Sequence, residues 1–157
     1  MNSALSSLVM SFMMSSIPSE QQECLALNVY HEARDQSHLG QVATAQVVLN
    51  RVNDERYPST ICSVVRQQRF NDPPGSSIQI DQCQFSWYCD GKSDAPTDDA
   101  AWHTAREQAA HGYYLHDIGY DVTEGATHYH STAVTPNWSR TKILTVSIDD
   151  HIFYRWE

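Results

Sequence analysis

Residues 38–53 set the first limit on the fold. Leu39, Val42, Ala43, Ala45, Val47, Val48, Leu49 and Val52 fall on so many sides of a helix that no continuous polar face is left. A helix of that kind is stable only when other elements surround it, so a central helix is expected here, with Ser37 as its cap. Asn50 and Arg51 near its end are expected to tie down neighbouring loops by hydrogen bonding.

The stretch before it prepares a second helix. Ile17-Pro-Ser-Glu-Gln-Gln22 reads as an entrance in which Ser19 caps and Gln22, three residues on, completes a capping box. The helix is expected over residues 20–33, with Leu25, Val29 and Ala33 as its apolar stripe. Glu32 sits in the last turn, on the edge of that stripe, and Asp35-Gln-Ser-His38 is the break between the two helices. A third helix is expected from Thr60 to about Gln68, capped by Ser59, with Ile61, Val64 and Val65 inside. From Arg69 to Pro96 the helical period fails, and Asp72-Pro-Pro-Gly-Ser-Ser77 and Asp90-Gly91 are turn chemistry. A loop this long in a small domain is usually functional.

The four cysteines are Cys24, Cys62, Cys83 and Cys89. With no Cys-x-x-Cys pair, a zinc ribbon is not expected. One disulfide pinning the loop is expected, either Cys83 with Cys89 or Cys62 with one of them. Cys24 reads as a small buried residue.

Thr97-Asp98-Asp99 opens a further helix by its cap and first-turn acids. Trp102, Ala105, Ala109 and Tyr113 mark its buried face and Gly112 its expected end. The period then changes to two over residues 126–132, 143–148 and 151–156, with Asp149-Asp150 as a hairpin turn. The expected class is α+β: a helical lobe followed by a small antiparallel sheet in the C-terminal half. The chain divides into residues 1–18, an N-terminal helix or flexible arm, and residues 19–157, a single domain. The first 17 residues lack Lys and Arg, so no clear signal peptide is read. They are too short and polar for stable membrane insertion. A formal net charge of −9 and the lack of a basic stripe exclude nucleic acid as the expected partner.

Three sets of residues carry candidate chemistry. Glu32 faces the negative end of its helix dipole beside apolar residues; both effects favour the protonated form that a general acid needs. The structural alternative is an ion pair with Arg34 or Arg51. Gln84-Phe85-Ser86-Trp87, between two cysteines, is a candidate sugar platform, in which the aromatic faces stack on pyranose rings and the polar residues bond hydroxyls. The alternative is that Phe85 and Trp87 fill the core. His128 and His130 alternate on one strand and, with His151 or Glu32, are candidate zinc ligands. Tyr129, His130, Trp138 and Arg140 are candidates for lining a substrate groove. No Gly-x-Ser-x-Gly elbow or phosphate loop is present.

Leu25-Ala-Leu-Asn-Val-Tyr-His-Glu-Ala-Arg34, Gly40-Gln-Val-Ala-Thr-Ala-Gln-Val-Val-Leu-Asn-Arg-Val52 and Tyr57-Pro-Ser-Thr-Ile61 resemble the SleB-like cell-wall hydrolases. So do Cys83-Gln-Phe-Ser-Trp-Tyr-Cys-Asp-Gly91, Ala126-Thr-His-Tyr-His130 and His151-Ile-Phe-Tyr154. The blocks run in the family's order over nearly all the chain. Asp35-Gln-Ser-His38 departs from relatives that carry Gly and Glu there. The resemblance implies a lysozyme-like helical lobe and a lytic transglycosylase acting on peptidoglycan glycan strands, with Glu32 as the essential acid. No cofactor and a monomer are expected. It also implies a phage endolysin, made in the cytoplasm and released to the wall. The alternatives are a zinc-dependent amidase using His128, His130 and His151, and a hydrolytic muramidase with Asp72, Asp81, Asp90 or Glu124 as second acid. A third is a non-catalytic wall-binding module built on Phe85, Trp87 and Trp138.

Overall fold

The computed structural model describes residues 16–68 and 83–157. The expected helix or arm at the N-terminus, the turn at residues 72–77, and Asp72 and Asp81 therefore fall outside the described residues, apart from 16–18. The helices are α1 (Ser19–Ala33), α2 (His38–Val52), α3 (Ile61–Val65) and α4 (Asp99–Asp117). Short 3-10 turns occupy Ser86–Cys89 and Asn137–Thr141. Strands β1 (His128–Ser131), β2 (Ile143–Ile148) and β3 (His151–Arg155) form an antiparallel sheet in the order β1-β3-β2.

Helix α2 is central for the reason its sequence suggests: every residue from Gly40 to Leu49 is buried. Ala45, Val48 and Leu49 pack among Leu25, Val29, Ile61, Val64 and Ala109 of the other helices. Ala43 and Val47 face Ala126, Ile148 and Phe153 on the sheet side. Full burial of each Val or Leu contributes about 2 kcal/mol. Two of its buried polar residues are satisfied internally. Thr44 Oγ1 donates to Gly40 O, and Gln46 donates to Tyr120 O and accepts from Val122 N. Leu39 departs from the expected core, being 51% exposed in the first turn.

Ser37 caps α2 by accepting from Gly40 N at 3.1 Å. Its own N–H and hydroxyl donate to Asp149 Oδ2 at 2.9 and 2.6 Å, so the β2–β3 hairpin tip is tied to the start of α2. Asp150 N donates to Gln36 Oε1 in the same junction. The divergent break at residues 35–38 is thus where the sheet docks on the helical lobe.

Three helix starts differ from expectation, as do the ends of two of the same helices. α1 begins at Ser19 itself, after Pro18, and Gln22 reaches back to Ile17 O rather than completing a box with Ser19. Thr60, not Ser59, caps the shorter α3, and Asp98 rather than Thr97 caps α4. α4 runs through Gly112 to Asp117. The helix stops at Gly119 (φ 84°), where Gly119 N donates to His116 O and Tyr120 N to Leu115 O, a Schellman motif. Gly112 has another purpose. A Cβ there would lie 3.0 Å from Ala45 Cβ and 3.2 Å from Val42 O, so the glycine lets α4 press against α2. Gly112→Ala gains about 1 kcal/mol of helix propensity, but pushing two backbones apart costs about 1–3 kcal/mol. The expected outcome is net destabilisation, read from the urea midpoint.

Of the disulfides, one is as expected and one differs. Cys24 bonds to Cys62, joining α1 to α3 with Cα atoms 5.2 Å apart, so Cys24 is not an unpaired core residue and Cys62 does not pin the loop. Cys83–Cys89 is the loop disulfide, enclosing the Ser86–Cys89 turn.

Candidate active site

Glu32 lies in the last turn of α1, where the chain bends into Arg34. Its backbone position follows from the helix; its environment comes from three other elements. Tyr129 projects from β1 and donates its hydroxyl to Glu32 Oε2 at 2.6 Å. Arg51, in the last turn of α2, is buried and donates Nε–H to Thr127 O at 2.7 Å, immediately before β1. Its guanidinium lies over the rings of Tyr57 (5.3 Å) and Phe85 (5.1 Å). His31 stacks on Trp87 at 4.5 Å, and its Nε2 bonds to Asp94 O.

Desolvation dominates the electrostatics of Glu32 and raises its pKa above the ordinary carboxyl value. The Tyr129 hydrogen bond opposes this, as do the positive fields of Arg51 and His31. Burial and the neighbouring carboxyl push the Tyr129 phenol well above its usual range, so it stays a donor. With Oε2 engaged by the phenol, Oε1 is left to carry a transferable proton. Among the described residues neither Arg34 nor Arg51 forms an ion pair with Glu32, so the surface ion-pair alternative does not hold. Arg34 lies instead over the Tyr30 ring.

Phe85 and Trp87 are 3% and 9% exposed and belong to the helical core. They offer no open face for a sugar, which corrects the platform reading for these two. Their contacts show what they do: Phe85 lies under Arg51, while Trp87 backs His31 and donates Nε1–H to Asn28 Oδ1, one turn before Glu32. Gln84 and Ser86, which alternate with them, remain exposed.

The period of two divides the other candidates. Tyr129 faces the helices beside Glu32. His130 points to the opposite sheet face, stacked on Tyr154 with Nε2 3.0 Å from the Tyr154 hydroxyl. Trp138 packs there against His128, His130 and Tyr154. The groove expected from Tyr129, His130 and Trp138 is therefore not one surface. The zinc trio fails for the same reason. His151 pairs with Ser131 across the sheet, and its ring lies on Tyr129 and Phe153, on the face away from His128 and His130. Among the described residues no group of three His, Cys, Asp or Glu is placed to hold a metal ion.

Asn50 behaves as expected, tying Asp121, Thr123, Ala126 O and His116 together. Residue order alone understates Arg51 and His31, the two side chains whose fields act on Glu32. The available signal was a charged residue inside an otherwise buried helix, which demands a partner. Tyr129→Phe tests the arrangement. Loss of a bond that favours the carboxylate moves the Glu32 pKa further up, so the alkaline limb of kcat is expected to shift to higher pH. A loss in kcat of about tenfold accompanies it, the size of one hydrogen bond to a charged group. An unmoved limb would separate Tyr129 from the acid.

Residues 35–154 match the family model described as Cell Wall Hydrolase, a segment that starts three residues after Glu32. The spore cortex-lytic enzymes of Bacillus cereus and Bacillus subtilis are 29% and 30% identical over 132 residues, or 83% and 82% of this chain. The chain spans 42% and 35% of their lengths. Among solved structures, the catalytic domain of the germination-specific lytic transglycosylase SleB from Bacillus anthracis aligns with a TM-score of 0.64 at 26% identity, covering 88% of this chain and 97% of that one. The catalytic domain of the Bacillus cereus SleB protein aligns at 0.57 and 27%, covering 87% and 91%. The α+β arrangement with a lysozyme-like helical lobe is thus shared with these catalytic domains, and the chain belongs to the Cell Wall Hydrolase family.

Proposed function

We propose that this chain degrades peptidoglycan as a lytic transglycosylase, cleaving between N-acetylmuramic acid and N-acetylglucosamine. The observation that carries the reading is Glu32: a desolvated carboxyl whose pKa burial raises, with the Tyr129 phenol on one oxygen and the field of the buried Arg51 acting on it. Among the described residues the side chains whose fields act on it are Arg51 and His31, and no second carboxylate is among them. Such a site suits one residue serving first as acid and then as base. Protonated Glu32 gives its proton to the glycosidic oxygen as the C1–O bond breaks. The resulting carboxylate, stabilised by Tyr129 and Arg51, takes the proton of the muramic 6-hydroxyl as that oxygen bonds to C1. The product is a 1,6-anhydro sugar. A hydrolytic glycosidase instead pairs two carboxylates.

The names of the relatives and the catalytic domains support the polymer and the reaction class. Two disulfides suit a protein that works outside the reducing cytoplasm, in keeping with an endolysin released to the wall. Among the described residues no helix is long and apolar enough to cross a membrane. Mass spectrometry of a digest of purified peptidoglycan tests the reading. Anhydro-muramic ends are expected; reducing ends mean a muramidase, and freed stem peptides with intact glycan mean an amidase.

A further inference from the structure

The outer face of the sheet, which the acid does not use, carries an arrangement that needs explaining. Trp156 is half-buried, and its indole N–H donates to the Tyr57 hydroxyl at 3.1 Å. Two cations sit over its ring, Lys142 with Nζ at 3.4 Å from the centroid and Arg56 with its guanidinium carbon at 4.6 Å. His128 packs edge-on to the same indole at 5.2 Å and bridges to Trp138, also at 5.2 Å.

The charges there do not balance. Arg56 is neutralised by Asp54 at 2.6 Å. Among the described residues no carboxylate pairs with Lys142, and the charged group that acts on it is Arg56, a like charge. With Asp54 on Arg56, Lys142 is the cation left open to an anion here. The chain carries 19 acids and 10 Lys and Arg, so an uncompensated cation is not explained by a shortage of carboxylates. Burial, reinforced by the positive fields of Arg51, Lys142 and Arg56, drives His128 down to about 3, so the imidazole stays neutral and adds no charge of its own.

The patch reaches the surroundings of the acid at one edge, through Tyr57, which holds Trp156 and lies under Arg51, the guanidinium whose field acts on Glu32. We infer that Lys142, Arg56, Trp156 and Trp138 form a subsite for the acidic stem peptide of the strand being cut, with a peptide carboxylate taken by Lys142 and the peptide's apolar surface by the two indoles. This rests on the peptidoglycan reading above. A phosphate on a wall polymer offers the same charge. The stem is favoured because it is attached to the muramic residue that must sit at Glu32, and because the indoles supply an apolar surface that a phosphate chain cannot use.

The test compares kcat/KM on glycan strands bearing intact stems with kcat/KM on the same strands stripped of stems by an amidase. Wild type is expected to prefer the stem-bearing strands. Lys142→Met is expected to shrink that preference about tenfold, the size of one hydrogen bond to a charged group. Lys142→Arg, which keeps the cation over the ring, is expected to retain it. Binding of a free acidic stem tetrapeptide, followed by calorimetry, is expected to weaken about tenfold in Lys142→Met. An unchanged preference, a wild type indifferent to stems, or a response only to phosphate-bearing wall polymer overturns the subsite. Peptide binding that depends on Lys142, in a protein that cleaves neither strand, keeps the subsite and removes the glycan-cleaving reading instead.

Discussion

Glu32→Gln is expected to lower kcat on purified peptidoglycan by about 10³-fold, with the fold intact. Glutamine keeps the volume of the side chain and still accepts the Tyr129 hydroxyl through its carbonyl oxygen, but it has no acidic proton to give to a leaving oxygen. The wild-type rate should follow the protonated fraction of Glu32. Because desolvation raises that pKa, activity persists above the ordinary carboxyl range and falls as pH climbs through the raised value. Retention of wild-type turbidity clearance by Glu32→Gln removes the assignment.

The same substitution has a stability signature of opposite sign. A group whose folded pKa lies above its unfolded value contributes stability below the unfolded pKa and loses it as pH rises through the folded one. Wild type therefore pays for an ionised, desolvated carboxylate at neutral and alkaline pH, and Glu32→Gln does not. The variant is expected to gain stability relative to wild type as pH rises from about 4, read from thermal midpoints across pH. An inactive variant that gains stability on the alkaline side marks a functional carboxyl; one that loses stability at every pH marks a structural one.

Much of this site was legible in residue order, and the reasons differ by element. The all-round apolar pattern of α2 forces a central position on any fold, and the placement of Glu32 in a final helical turn follows from one helix's period. Alternation on β1 is legible too, but which face meets the helices is not. Tyr129 and His130 are neighbours in sequence and belong to opposite faces, and only the docking of the hairpin through Asp149 and Ser37 decides between them. The aromatic loop misleads for a related reason. Phe85 and Trp87 look costly to expose, and in fact they are not exposed; their partners, Arg51 and Asn28, are 34 and 59 residues earlier, a pairing that no local pattern encodes. Gly112 shows the same limit: a glycine late in a helix reads as a stop, yet close approach to α2 was the constraint.

Removing the Cys24–Cys62 bond by the Cys24→Ala, Cys62→Ala double substitution is expected to cost about 4 kcal/mol on the chain-entropy account. The bond closes a loop over a sequence separation of 38, which contains all of α2. Cys83–Cys89 closes a separation of only 6, and its loss is expected to cost about half as much. The two losses differ in their effect on catalysis. Cys24 lies eight residues before Glu32 on the same helix, and the bond fixes α1 against α3 while Gln21 accepts from Cys62 N. Loosening it lowers stability but leaves Glu32 in contact with Tyr129 as long as the domain is folded, so kcat below the melting range should change little. Cys83–Cys89 instead frames Phe85 and Trp87, which hold Arg51 and His31 beside the acid. Its removal should therefore move the pH profile of kcat despite the smaller stability cost. Urea titrations and pH–rate profiles of the two double variants separate these effects, and a pH profile shifted only by loss of Cys24–Cys62 would reverse the assignment of the two bonds.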